Sequence, residues 1–301
     1  MPARLQLCIV GPHDRLHLRT EMTIIHAMDH GWPRSIVTAL GILTCGLLGL
    51  LAATFPMSAF GVVPPALIDA ASLPPAIIGT FLCLSVAAVL ALSLAKPINA
   101  AVSLFAFGFG VATFAMRTGT VSDAVFQNGN FRWLGAETLA WGLIAASMAI
   151  AAFRVGGPLP DVPVPDSEQT FMQGLLRKKS LLMLLSGIAA PAVIALTLIG
   201  QGKGQSIGAC TLAGVVVAVA ARLFAPREQP IFLFAAPAIV IGLTQIVLSG
   251  QAISTLDSSF AMATLSPILC AMPADVAAGS LCGVAIGLGW SKGLVKPAAE
   301  E

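Results

Sequence analysis

The chain has 301 residues, 57% of them hydrophobic and 10% charged, with a mean hydropathy of +0.90. A soluble domain carries about 25% charged residues, so the composition excludes a water-facing globule of this size and points to lipid as the solvent. The formal net charge is +2, and without a basic stripe interleaved with aromatic residues it supports no nucleic-acid partner.

Residues 1–34 read as a polar cytoplasmic segment that holds all 4 histidines, His13, His17, His26 and His30. Their position keeps imidazole out of the membrane interior, so no haem, zinc or di-iron cofactor is expected there. Residues 1–21 lack the short apolar run that a signal peptide places directly behind its basic residues. Met22 and Met28 are alternative starts within this segment.

Eight apolar windows follow, at 35–55, 76–95, 98–116, 133–153, 180–200, 205–221, 231–249 and 268–290. A bilayer core of about 30 Å needs roughly 20 apolar residues at 1.5 Å each, and most windows reach that length. The sixth is short between Gln205 and Arg222, and snorkelling by Arg222 would lengthen it.

The basic residues fix a topology. With the N-terminus inside, the inner segments hold Arg4, Arg15, Arg19, Arg34, Lys96, Arg154, Arg177, Lys178, Lys179, Arg222, Arg227, Lys292 and Lys296, whereas the outer segments hold only Arg117, Arg132 and Lys203. Cytoplasmic retention of Lys and Arg gives this asymmetry, and it survives removal of residues 1–21. The expected fold is an all-α polytopic transmembrane bundle of about eight spans with both ends cytoplasmic, in a bacterial inner membrane.

Between spans, 56–75 is rich in Pro and small residues and is expected at the interface. Lys96-Pro97 forms an inner turn in which Pro97 suits a first helical position, where its missing N–H costs nothing. The most polar outer piece is 117–132, with Gly129 marking a turn between two asparagines. A Pro-punctuated linker over 156–166 leads to Arg177-Lys178-Lys179, a headgroup anchor. The linker region 154–179 divides the membrane part into halves, 35–153 and 180–290, followed by a tail at 291–301. Three pairs raise a parallel four-plus-four repeat: Cys83 with Cys210, Pro97-Ile98 with Pro230-Ile231, and Ala136-Glu137-x-x-Ala140 with Ala274-Asp275-x-x-Ala278. Parallel repeats of this kind occur in transporters, although apolar sequence also produces chance matches.

Two acids lie inside apolar spans, Glu137 and Asp275. Intramembrane acids are costly and mark functional sites by default. Both fall in the outer third of the bilayer. Their alternative role is anchoring: with Pro273 at a helix start, Asp275 lies in the first turn, where unpaired N–H groups and the dipole favour a carboxylate. Glu137 would pair with Arg117, and Gln245 is the nearest candidate partner for Asp275. Asp275, Gly279, Gly283 and Gly287 recur every four residues, a face that admits another helix closely. Pro191 and Pro237 are expected to kink their spans near mid-membrane, as hinges or for packing alone.

The 6 cysteines, Cys8, Cys45, Cys83, Cys210, Cys270 and Cys282, show no C-x-x-C and read mostly as small hydrophobes. No H-E-x-x-H, G-x-S-x-G, Walker-type loop or paired-aspartate motif is present, and tyrosine is absent. No catalytic residue, metal or cofactor is assigned. The leading expectation is a transporter-like or permease-like protein for a small solute or ion, using Glu137, Asp275, Gln245 and Arg117 as an outer polar site. The alternatives are a non-catalytic subunit or assembly factor of a membrane complex, with a membrane-protein partner or a second copy of the chain, and a lipid or glycan enzyme using Asp123 and Glu137.

Overall fold

The computed structural model describes residues 31–127, 130–162, 183, 185–200, 202–226, 228–252, 259–260 and 264–293. Among them are helices and no strand: α1 (Gly31–Ala52), α2 (Leu73–Ala95), α3 (Ala100–Ala115), α4 (Val121–Phe126), α5 (Phe131–Gly156), α6 (Ala189–Thr197), α7 (Lys203–Phe224), α8 (Ala236–Ala252), α9 (Pro267–Cys270) and α10 (Pro273–Ser291). Short 3₁₀ turns occupy Leu67–Asp69 and Phe232–Phe234. Six of the described helices are long and apolar enough to cross a membrane, and α3 is a shorter apolar one. The chain is a polytopic membrane bundle. Of the window at 180–200, α6 is the helix described; the basic triplet 177–179, the histidines, Cys8 and Gly129 lie outside the described residues.

Two compact units divide the chain at Leu40. In the first, the described part is the opening of α1, where the Thr38 hydroxyl donates to the Arg34 carbonyl at 2.8 Å. The second, Gly41–Glu301, holds the remainder.

Helix starts follow local capping chemistry. Asn99 accepts the Val102 N–H at 2.8 Å, so α3 begins at Ala100 and Pro97 stays in the preceding turn, contrary to its expected place at a helix start. A side-chain oxygen at the N-cap satisfies an otherwise orphaned donor, which Pro97 cannot do. Asn130 caps α5 by accepting the Arg132 N–H at 3.0 Å. Thr120 and Asp123 form a reciprocal capping box on α4. Pro191 and Pro237 also stand near helix starts, as the third residue of α6 and the second of α8. The expected mid-helix kinks are therefore breaks ahead of each proline, where a missing N–H costs least.

Helix α10 is buried along most of its 19 residues, a length of about 28 Å. It packs most extensively on α7 and also contacts α3, α5 and α8. Gly279 and Gly283 abut the Cys210–Thr211 backbone of α7, and a Cβ at Gly287 would lie 2.7 Å from both Ala218 Cβ and the Val215 carbonyl oxygen. Glycine is what allows these two backbones to touch. On the opposite margin of the second unit, Leu43, Leu47, Leu50 and Leu51 of α1 are exposed. They provide the apolar surface that lipid requires. Cys45, Gly46 and Gly49 of the same helix meet α3, where the Thr113 hydroxyl donates to the Gly46 carbonyl at 2.7 Å. The described cysteines are all free thiols.

Candidate functional site at the Lys203 end of the bundle

The starts of α5, α7 and α10 and the finish of α3 meet at one end, which the charge asymmetry places outside. Backbone bonding ties the connections there together, for example the Gly119 N–H to the Pro64 carbonyl at 3.1 Å. A small apolar cluster of Ala66, Val121, Ala124, Phe131, Leu134, Leu269 and Met272 packs beneath them.

Lys203 is the first residue of α7 and Asp275 the third of α10. The closeness of these two helices brings the Lys203 ammonium to 2.8 Å from Asp275 Oδ1, with side-chain exposures of 13% and 0%. The same ammonium donates to the Gly119 carbonyl at 2.9 Å. The Ser206 hydroxyl and the Met272 backbone also lie within hydrogen-bonding reach of the Asp275 carboxylate, though at poor angles. The contact is thus an ion pair by distance, with little directional support. Cys210 lies within electrostatic reach of both charges.

The other candidate residues do not converge on this pair. Glu137 accepts the backbone N–H groups of Leu67 and Ile68, each at 3.1 Å, and the Trp141 indole N–H at 3.3 Å. These are the first residues of the 3₁₀ turn Leu67–Asp69, so the carboxylate caps a helical N-terminus, where donors point outward and negative charge is favoured. Trp141 is itself fixed between Phe81 and Phe114, each with its ring centre 6.1 Å away. Arg117 is exposed and forms no ion pair with Glu137. The expected Arg117–Glu137 pair is therefore replaced by backbone donors that only the fold brings near. Asp69, in the connecting segment, stands close enough to repel Glu137, and burial raises its carboxyl above the ordinary aspartate range.

Gln245 does not partner Asp275. Its Oε1 accepts from the Thr138 hydroxyl at 2.7 Å, and its Nε2 donates to the carbonyls of Ile268 at 3.0 Å and Ala271 at 2.7 Å. The amide is used up in joining α5, α8 and the α9–α10 connection. Asp123, considered as an acid or base, is engaged with the Thr120 N–H at 2.6 Å. Sequence reasoning missed Lys203 and Ser206 as neighbours of Asp275. One signal was available, because Lys203 is one of the three breaches of the charge rule.

At the opposite end, Arg222 donates to Asp161 Oδ2 at 2.6 Å and to the Pro226 carbonyl at 3.5 Å. Arg222 is buried, so it pairs with the linker instead of snorkelling into headgroups. Among the described residues, no group of three or more His, Cys, Asp or Glu is arranged to hold a metal ion.

The Lys203–Asp275 arrangement can separate charge, change protonation or exchange partners; the Glu137 and Gln245 arrangements hold backbone. Comparison with family models, curated proteins and solved structures gave no match.

Proposed function

We propose that the protein is a transporter-like or permease-like carrier of a small solute or ion in a bacterial cytoplasmic membrane, with Lys203 and Asp275 as its charge-handling site. The observation that carries this reading is the fully buried Asp275, held by a lysine with 13% side-chain exposure at the start of a neighbouring span. Burying two charges costs several kcal/mol per ion before their attraction is counted, and such groups inside a membrane belong by default to transport pathways. Glu137 and Gln245, named with Asp275 from the sequence, support the site by fixing the surrounding backbone.

The test is flux into liposomes containing the purified protein. An interior pH dye would be followed under a potassium diffusion potential, with pools of amino acids, sugars and carboxylic acids supplied outside. Asp275→Asn should lower flux by about tenfold or more, an effect worth roughly 1.4 kcal/mol in barrier. Glu137→Gln should retain most of it. Wild-type flux in Asp275→Asn would remove the site assignment, and no flux with any pool would remove the carrier reading.

A non-catalytic subunit or assembly factor is the second reading. It draws on the closed bonding of Glu137 and Gln245. A stoichiometric membrane partner that co-purifies, together with absence of flux, would favour it over the carrier.

A further inference from the structure

We infer that Asp275 is a proton acceptor whose competitor is the Lys203 ammonium, and that proton uptake frees Lys203, the partly exposed member of the pair, to turn toward solvent. This rests on the carrier reading only for its physiological use; the proton site itself is a property of the fold.

The geometry supplies each part. Asp275 is fully buried, and the one charged group against its carboxylate is the Lys203 ammonium at 2.8 Å, with Ser206 and the Met272 backbone in poorly angled contact. Ser206, one turn along α7 from Lys203, keeps a buried hydroxyl against that carboxylate, in a position to donate to it or to accept from its acid form. A neutral carboxylic acid would supply the O–H donor that the Ser206 oxygen lacks. Lys203 has a second anchor in the Gly119 carbonyl at 2.9 Å and is the partly exposed member of the pair. It can therefore leave the carboxylate without losing every partner.

The step balances simply. A proton from the aqueous phase adds to one Asp275 oxygen, the O–H donates to Ser206 Oγ, and no other bond is made or broken. Lys203 keeps its own proton, so the site passes from a neutral pair to a single positive charge. That charge is stable only where water reaches it, which drives the ammonium toward the Gly119 side. The ligand is a proton in preference to an alkali cation because the Lys203 ammonium already occupies the position between Asp275 and the Gly119 carbonyl where a cation would sit. The titratable groups interacting with Asp275 are Lys203 and Cys210 of α7; among the described residues, α3, α5 and α8 contribute no charged group to that interaction.

Infrared difference spectroscopy of the protein in lipid tests the inference without any transported solute. The C=O stretch of a protonated carboxylic acid should appear as pH falls between about 9 and 4, spanning the range in which perturbed carboxyls titrate. The part of the band due to Asp275 should be lost in Asp275→Asn and persist in Glu137→Gln, over a contribution from Asp69 common to all variants. In Lys203→Met the buried carboxylate has no cation to hold its charge, so the band should appear at higher pH, by about one unit or more. A titrating band that survives Asp275→Asn unchanged, or one that Lys203→Met does not move, would overturn the proposal. Should Asp275→Asn fail to fold with Lys203 unpaired, Lys203→Met carries the test alone, because its neutral acid leaves no buried ion. A titrating band with no flux would discard the carrier and keep the proton site; flux with no Asp275 band would do the reverse.

Discussion

Helix α7 carries a basic residue near each end, Arg222 buried and Lys203 partly so, and the two are treated differently. Arg222, in its last turn, lies where the helix dipole favours a cation, and its planar guanidinium meets Asp161 at 2.6 Å with a carbonyl as second acceptor. The Asp161 side chain keeps 23% exposure, so part of that charge remains solvated. Lys203 opens the same helix, against the dipole, and its partner has no exposure at all. The first pair accords with the α7 dipole; in the second, Asp275 sits favourably in the first turn of α10, whereas Lys203 stands against the dipole of α7. The proposed charge-handling role of Lys203 and Asp275 predicts that the two pairs respond differently to loss of a partner.

Removing one partner from each pair tests that contrast most strongly. Asp275→Ala should lower stability by up to about 3–5 kcal/mol, the limit for a Lys203 charge that stays in place without its partner. Removing both charges, in Lys203→Met with Asp275→Leu, should recover most of that loss, as measured by thermal unfolding in the same detergent. If the double variant stays as unstable as Asp275→Ala, packing and not charge governs that end, and the contrast fails. At the other end, Asp161→Ala should cost roughly 1.5–3 kcal/mol, the range for a hydrogen bond to a charged group. Arg222 retains the Pro226 carbonyl there, so a loss equal to that of Asp275→Ala would make the two pairs equivalent.

The smallest effect concerns Asp69, beside the Glu137 clasp. Burial raises its carboxyl above the ordinary range, so the folded state prefers the protonated acid. The stability this contributes is complete below the unfolded aspartate value and is lost as pH rises through the raised folded value. Asp69→Asn should therefore flatten the pH dependence of unfolding just above that range and stabilise the neutral-pH protein by a few tenths of a kcal/mol, the half-buried position being screened. An unchanged pH profile would show that Asp69 ionises as readily in the fold as in the unfolded chain.

Helical class was legible because composition and window length leave few other solutions in lipid. Asp275 was legible because an acid between apolar runs is conspicuous, and Pro273 marks the helix start that holds it. Its partner was not legible. Lys203 and Asp275 are far apart in sequence and meet because Gly279 and Gly283 draw α10 against α7, a pairing that a Gly-x-x-x-Gly pattern cannot specify. Glu137 was misread for a related reason: backbone N–H groups carry no sequence signature, so the eye goes to Arg117. Gln245 was rightly noticed as an intramembrane polar side chain, but its acceptors are carbonyls of Ile268 and Ala271, which are equally silent in sequence.

The central position of α10 bears on how the protein is assembled. A span with an acid in its first turn and glycines along one side has less to gain from lipid than the leucine-rich α1. It also follows, in the chain, every helix it packs against. Membrane insertion proceeds from the N-terminal spans onward, so the contacts that α3, α5, α7 and α8 make with α10 are the last to form. The bundle is closed by its late helix, and biogenesis, more than the finished fold, is where a defect in residues 273–291 would first be felt.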